Sequence, residues 1–312
     1  MPTENLFTVA AIRKSPDGRI TEYFFNESPR IFELGPKPAS DETAIAKINE
    51  ALDKKMPIKI VVDPRRSLIN KITTPSKAEA KEFLKLRVKL ENPEKPTAIN
   101  LEKIDHTTFN IVDEYLKVPV FKLCTKVVPN YLKAKAIFDY CAQQSCALPG
   151  PYAVNPCIPF QYVRDGCYAR AHKMRWIITT KFKYCCEKVF SFANKGNDRL
   201  AVQALKWGGC CVTWWYHVAP LIRVNVTIGK FTFTKAMVID PGMFDQPVTL
   251  SAWLSAQANT ACSPNAKVSM YSIQQGSAYS PANYAGTQFT TDNNYTATDA
   301  TLVAYKNLLT CP

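Results

Sequence analysis

All the cysteine of this chain lies beyond one point. The 312 residues contain 11 Cys; none precedes Cys124, and they then continue to Cys311. In a reducing cytosol such a density would expose thiols to oxidation for no benefit, whereas an oxidising compartment turns most of them into cross-links. The C-terminal part therefore reads as a secreted, disulfide-stapled domain. Met1-Pro2-Thr3-Glu4-Asn5 has neither a basic n-region nor an apolar h-region, so the signal peptide is taken to be absent from this form. The odd count leaves at least one Cys for chemistry or for an intermolecular bond.

Charge breaks at the same place. Residues 1–120 hold 20 Lys+Arg and 18 Asp+Glu, net +2; residues 121–312 hold 19 and 8, net +11. The basic residues of the second part are scattered, which argues for a generic basic surface suited to acidic protein substrates and against a nucleic-acid interface. Hydrophobic residues at 46% and charged residues at 21% support a buried core and exclude a disordered chain. No apolar run approaches the roughly 18 residues of a membrane span, so no membrane partner is expected.

The first part, 1–122, reads as a small α/β domain. Thr8–Ile12 and Ile20–Phe25 flank the turn Pro16-Asp17-Gly18 and predict a hairpin. Asp41 caps a helix running to about Met56, Ile58–Val62 is strand-like, and Ser76 caps a second helix ended by Pro93 and Pro96. From about residue 92 the chain is a connector with one strand and an exposed, cleavable boundary. The second part, 123–312, predicts a helix over Val127–Ala142, a loop over Cys146–Pro159, and strands at Val189–Ala193, Val212–Val226 and Phe231–Val238. From Ser251 the composition predicts irregular, disulfide-tied surface.

Histidine is scarce: His106, His172 and His217. A helix starting at Cys167 would set that thiol in its first turn, where unsatisfied N–H groups favour thiolate and can cradle an oxyanion. Alternatively, Cys167 is one more half-cystine. His217 lies on an apolar strand and Asp240 ends the next one, so the two should be neighbours and the carboxylate could orient the imidazole. A core histidine and an Asx turn before Pro241 are the plainer readings of these two. His172, five residues after Cys167, is expected to be structural. The doublets Cys185-Cys186 and Cys210-Cys211 have the wrong spacing for zinc, and no phosphate-binding glycine motif occurs, so no metal and no cofactor are expected.

The segment Asp165-Gly166-Cys167-Tyr168-Ala169-Arg170-Ala171-His172-Lys173-Met174-Arg175 closely resembles the nucleophile segment of the bacterial protein-glutaminase (protein-glutamine deamidase) family. The resemblance continues through Cys186-Glu187-Lys188, Cys210-Cys211-Val212, Trp214, Tyr216-His217-Val218-Ala219, Ile239-Asp240-Pro241 and Ala252-Trp253, over about residues 130–260. It implies an α+β, papain/transglutaminase-like thiol hydrolase domain, with the Cys helix packed on an antiparallel sheet. It also implies a Cys167, His217 and Asp240 triad, and a precursor whose pro-region, 1–122, covers the cleft until a protease removes it. Tyr168, Trp214, Trp215 and Tyr216 are candidate walls of a cleft for a Gln side chain; core packing is the alternative for each.

On this resemblance the expected activity is hydrolysis of Gln side-chain amides in proteins and peptides to Glu and ammonia, by a monomer. A transglutaminase-like acyltransferase or a cysteine protease could use the same triad. A secreted, disulfide-rich binding module with Cys167 bridged is the reading from another class.

Overall fold

The computed structural model describes residues 3–15, 18–63, 65–86, 97–100, 126–228 and 230–311. Strands β1 (Thr3–Lys14), β2 (Thr21–Phe25), β3 (Ser28–Leu34), β4 (Pro57–Asp63) and β5 (Leu68–Thr73) pair in the order β2-β1-β4-β5-β3, and β2 also pairs β3. The five strands therefore close into a ring. Their inward apolar residues, among them Phe7, Phe25, Phe32, Ile58, Ile60 and Ile69, share a core with Ile48 of a covering helix. Short α1 (Pro36–Ala39) precedes that helix, α2 (Glu42–Lys54), where Asp41 accepts from the N–H groups of Thr43 and Ala44 as its cap. Helix α3 (Lys77–Leu86) opens with a capping box: Ser76 Oγ accepts from Glu79 N–H, and the Glu79 carboxylate accepts from Ser76 N–H. The prolines expected to end this helix lie outside the described residues, as does His106.

Two pairings join this α/β part to the rest of the chain. β3 continues into β9 (Cys211–Trp214), itself paired with β8 (Leu200–Gln203), so the ring is joined to strands of the second part. β6 (Thr97–Asn100), the strand expected in the connector, lies antiparallel to β13 (Met270–Gln274) and edges a second sheet. That sheet runs β12-β11-β10-β7-β13-β6, with β7 at Glu187–Phe192, β10 at Tyr216–Ile228, β11 at Phe231–Val238 and β12 at Val248–Thr249. Helices α4 (Tyr131–Ala142) and α5 (Cys167–Thr180) pack against β10. The first strand of the ring thus belongs to the N-terminal part alone, but its last strand is shared architecture.

One long strand over Val212–Val226 was the expectation; two are present. The chain leaves β9 at Trp214 and enters β10 at Tyr216, passing from one sheet to the other. Trp215 N–H donates to Pro29 O at 2.9 Å and its indole Nε1–H to Ser28 O at 2.8 Å, so N-terminal carbonyls hold the crossing point. The irregular surface expected after Ser251 is also corrected. It contains α6 (Leu250–Ser255), β13, the pair β14 (Ala278–Pro281) and β15 (Phe289–Thr291), and α7 (Thr296–Tyr305). Ser, Thr and Asn populate these elements because the segment is wrapped over the core, with Trp253 and Leu302 fully buried.

Among the described residues three disulfides form: Cys146–Cys157, Cys210–Cys311 and Cys211–Cys262. The last two tie the tail to one end of β9 and close loops spanning 101 and 51 residues, each of the kind worth a few kcal/mol (about 3–5). Cys141, Cys167 and Cys186 are buried thiols. No helix among the described residues is long and apolar enough to cross a membrane.

Candidate active site

Gly166 caps α5 with φ 72°, a left-handed conformation, and a Cβ there would sit 2.8 Å from the Tyr305 ring. Glycine is therefore needed both for the backbone and for the close approach of α7. Asp165 locks the turn: its carboxylate accepts from Gly166 N–H at 2.6 Å, Ser28 Oγ at 2.7 Å and Tyr305 Oη at 3.2 Å. Arg170, one turn into the helix, donates to the carbonyls of Tyr162 and Asp165. Cys167 is thereby delivered at the first position of the helix, as expected.

Its thiol accepts a hydrogen bond from Val218 N–H on β10. The residue before Val218 is His217, whose Nε2 lies 2.8 Å from Asp240 Oδ2. Asp240 follows β11, and Ile239 N–H donates to Pro220 O, which brings the end of one strand beside the start of the other. Burial by itself pushes the Asp240 carboxyl up, but the charge and hydrogen bond of His217 and the indole of Trp253 outweigh it and hold the group below its ordinary 3.8. Ionised, Asp240 only accepts, so His217 Nε2 carries the proton and Nδ1 holds a lone pair in the neutral ring. Nδ1 is buried and has no hydrogen-bond partner. The ring is sandwiched between Trp214, centroids 4.7 Å apart and 10° from parallel, and Trp253, 5.4 Å and 24°.

The helix terminus was expected to lower the Cys167 pKa. Instead the thiol is pushed up to about 12: burial dominates, Asp165 and Asp240 add to it, and Arg170 and the Val218 N–H only oppose it in part. Cys167 is 2% exposed and His217 2%. The N-terminal part reaches residues next to the pair in sequence: Ser28 donates to Asp165, and Phe24 stands edge-on to Trp215.

Of the aromatic residues expected to wall a cleft, Trp214 stacks on His217 and donates to Arg164 O. Trp215 is held by Ser28, Pro29, Phe24 and Tyr284. Tyr168 packs on Tyr279, and the buried Tyr216 hydroxyl has no hydrogen-bond partner. His172 is structural, as expected. Its Nε2–H faces Asp292 O at 3.0 Å and its Nδ1 takes the Lys188 ammonium at 2.6 Å, and burial with the nearby Lys188 and Arg175 charges pushes its pKa down to about 2. Sequence reasoning missed Asp165 as the anchor of the N-terminal part, and Trp253 as a partner of both His217 and Asp240. The only signal for Trp253 was its place in the Ala252-Trp253 motif.

The model of the glutaminase family matches residues 134–257, which contain all three of Cys167, His217 and Asp240. A crystal structure of protein-glutaminase is 36% identical, with a TM-score of 0.51, and the alignment covers 60% of this chain and 92% of that one. The chain belongs to the protein-glutaminase family. The NMR structure of protein-glutaminase from Chryseobacterium proteolyticum agrees, at 36% identity and TM-score 0.51 over 59% of this chain and 91% of that one. A crystal structure of pro-protein-glutaminase is 27% identical with a TM-score of 0.70, covering 99% of this chain and 95% of that one. The likeness to a protein-glutaminase precursor thus extends through the N-terminal part, beyond the region that resembles the shorter protein-glutaminase structures. No curated protein sequence matches the chain.

Proposed function

We propose that this chain is the latent precursor of a secreted protein-glutamine deamidase, with residues 1–122 as pro-region and 123–312 as the disulfide-bonded catalytic domain. The observation that carries the chemistry is the uncommitted Nδ1 of His217, on the strand segment that contacts the Cys167 thiol, with Nε2 engaged by Asp240. In this mechanism His217 takes the thiol proton as Cys167 attacks the carboxamide carbon of a Gln side chain. The N–H groups at the start of α5 stabilise the oxyanion. His217 then protonates departing ammonia, leaving a thioester, and deprotonates the water that cleaves it to Glu and free thiol. Asp240 keeps the ring in the useful tautomer, and Trp214 and Trp253 keep its plane. The Tyr216 hydroxyl is available to the substrate amide, and Tyr168, Trp214 and Trp215 border the space it would enter. The reaction needs no metal or organic cofactor.

In this reading the pro-region blocks the approach to the thiol, a role supported by the hydrogen bonds of Ser28 to Asp165 and of Trp215 to the Ser28 and Pro29 carbonyls. Because β3 is continuous with β9, one cut in the connector would leave the pro-region seated; release requires dissociation or further cleavage by the activating protease. The basic catalytic domain suits acidic protein substrates: residues 123–312 hold 18 Lys+Arg and 8 Asp+Glu, net +10.

The test is ammonia release from a Gln-containing protein by intact and protease-trimmed chain, wild type beside Cys167→Ala. Ammonia that appears on trimming and is absent from the variant supports the reading. Cross-linked or shortened substrate without free ammonia would transfer the same triad to an acyltransferase or a protease. Cys167 found in a disulfide, with no ammonia from any form, would end the thiol mechanism.

A further inference from the structure

A cavity of about 430 Å³ opens beside the C-terminal half of α5. Arg175, which lines it, lies eight residues along the helix from Cys167, or about 12 Å at helical rise. It is therefore a separate place from the catalytic thiol. Three cations face it, those of Lys126, Arg175 and Lys183, and among the described residues none of the three forms an ion pair. The one carboxylate in the lining, Glu187, is consumed: Arg223 Nε reaches its Oε2 at 2.7 Å and Nη2 its Oε1 at 3.2 Å.

We propose that this cavity is an oxyanion-binding site, taking a phosphate or carboxylate group between Lys126, Arg175 and Lys183. Three like charges round one concavity repel each other and raise the local potential until an anion enters. The Arg175 head is held for the purpose rather than free to swing away. Its Nη1 donates to Tyr295 Oη at 2.8 Å, and its Nε is buried with no hydrogen-bond partner. Gly276 permits this seat, since a Cβ there would lie 2.2 Å from Cys186 O and 2.9 Å from Arg175 Nε. Lys126 is steadied over the Tyr184 ring at 5.4 Å, while Lys183 is exposed at the mouth with a left-handed φ of 61°. A planar guanidinium flanked by two ammonium groups matches the demands of a multi-oxygen anion. The volume is in the range of small-ligand pockets, roughly 300–1,000 Å³.

The test uses calorimetric titration of the full chain at low ionic strength. Two probes are applied: inorganic phosphate, and a short end-blocked peptide containing Glu, with its Gln counterpart as control. The comparison is with Lys126→Gln/Lys183→Gln, both exposed positions whose loss leaves the fold intact. Saturable binding of either probe, weakened about tenfold or more in the double variant and by added salt, is the expected result. Phosphate alone binding assigns the site to phosphate groups, and the Glu peptide alone to carboxylates. Arg175→Lys keeps the charge, and should weaken binding by losing the fork. Absence of saturable binding by both probes, or equal binding by wild type and double variant, overturns the proposal.

Discussion

Ser28 Oγ donates to Asp165 Oδ2 at 2.7 Å, joining the first residue of β3 to the residue two before the candidate nucleophile. The bond is buried at both ends, and it couples the N-terminal part to the turn that sets the Cys167 helix. Burial pushes the Asp165 carboxyl above its ordinary range, while the Arg30 charge and the hydrogen bonds of Ser28, Gly166 and Tyr305 oppose that rise. Removing a donor there leaves a buried carboxylate oxygen short of a partner.

Ser28→Ala should therefore destabilise the intact chain by about 1–3 kcal/mol. It should also loosen the hold on Trp215, so that protease trimming proceeds faster. Denaturant unfolding and a trimming time course check both. A variant as stable as wild type and trimmed at the same rate would show that the contact contributes nothing.

The Cys167 thiol, at about 12, should resist alkylation near neutral pH in the intact chain and react much faster once the N-terminal part is removed. The same shift carries a stability signature. Cys167 and Cys186 both rise from 9.0 to about 12, so above pH 9.0 the unfolded chain sheds protons that the folded chain keeps, and stability falls as pH climbs towards about 12. Cys186→Ser should flatten that decline in a pH series of unfolding curves; an unchanged slope would refute the assignment.

Asp240→Asn replaces an acceptor of the His217 proton by an amide that can also donate. Ammonia release by the trimmed enzyme should fall by roughly 10² to 10⁴. On the stability side, a carboxyl held below 3.8 contributes stabilisation that is present above that pH and lost as pH falls through its lowered folded value. The variant should lose that acid-side dependence, which unfolding curves at low pH would reveal.

Glu22 ties the two parts of the chain together from the other side. Its carboxylate, 3% exposed, lies 2.9 Å from Arg13 Nε and 2.5 Å from Arg199 Nη2. Arg13 in turn donates to Asp198 O and stands over the Phe24 ring. Glu22→Gln leaves two part-buried guanidinium groups without their carboxylate, at a cost of about 3–5 kcal/mol. After a cut in the connector, the N-terminal fragment of this variant should dissociate faster than wild type on size-exclusion chromatography. Co-elution of both fragments to the same extent as wild type would count against the network as a clamp.

Local rules carried far in this chain. The caps at Asp41 and Ser76, the hairpin of β1 and β2, the β11 strand at Phe231–Val238 and the helix starting at Cys167 were all legible, because each depends on residues a few positions apart. So did the neighbourhood of His217 and Asp240, which needs only that a strand pair be joined by a short turn. The break in cysteine and charge near residue 120 marked two parts with different chemistry, and the motif around Cys167 pointed to the family. What no local rule contained was the joining of the parts. Trp214 pairs with Arg30 across the boundary and Trp215 spends its N–H groups on Ser28 and Pro29, so a run that reads as one strand is divided between two sheets. The thiol's pKa went the same way. A helix terminus favours thiolate by an effect confined to its first turn, whereas desolvation is set by everything packed over the group, including elements as far along the chain as β10, which brings Val218 to the thiol. Sequence spacing determined which residues could do chemistry; only tertiary burial decided that in this form their thiol is held protonated and closed off.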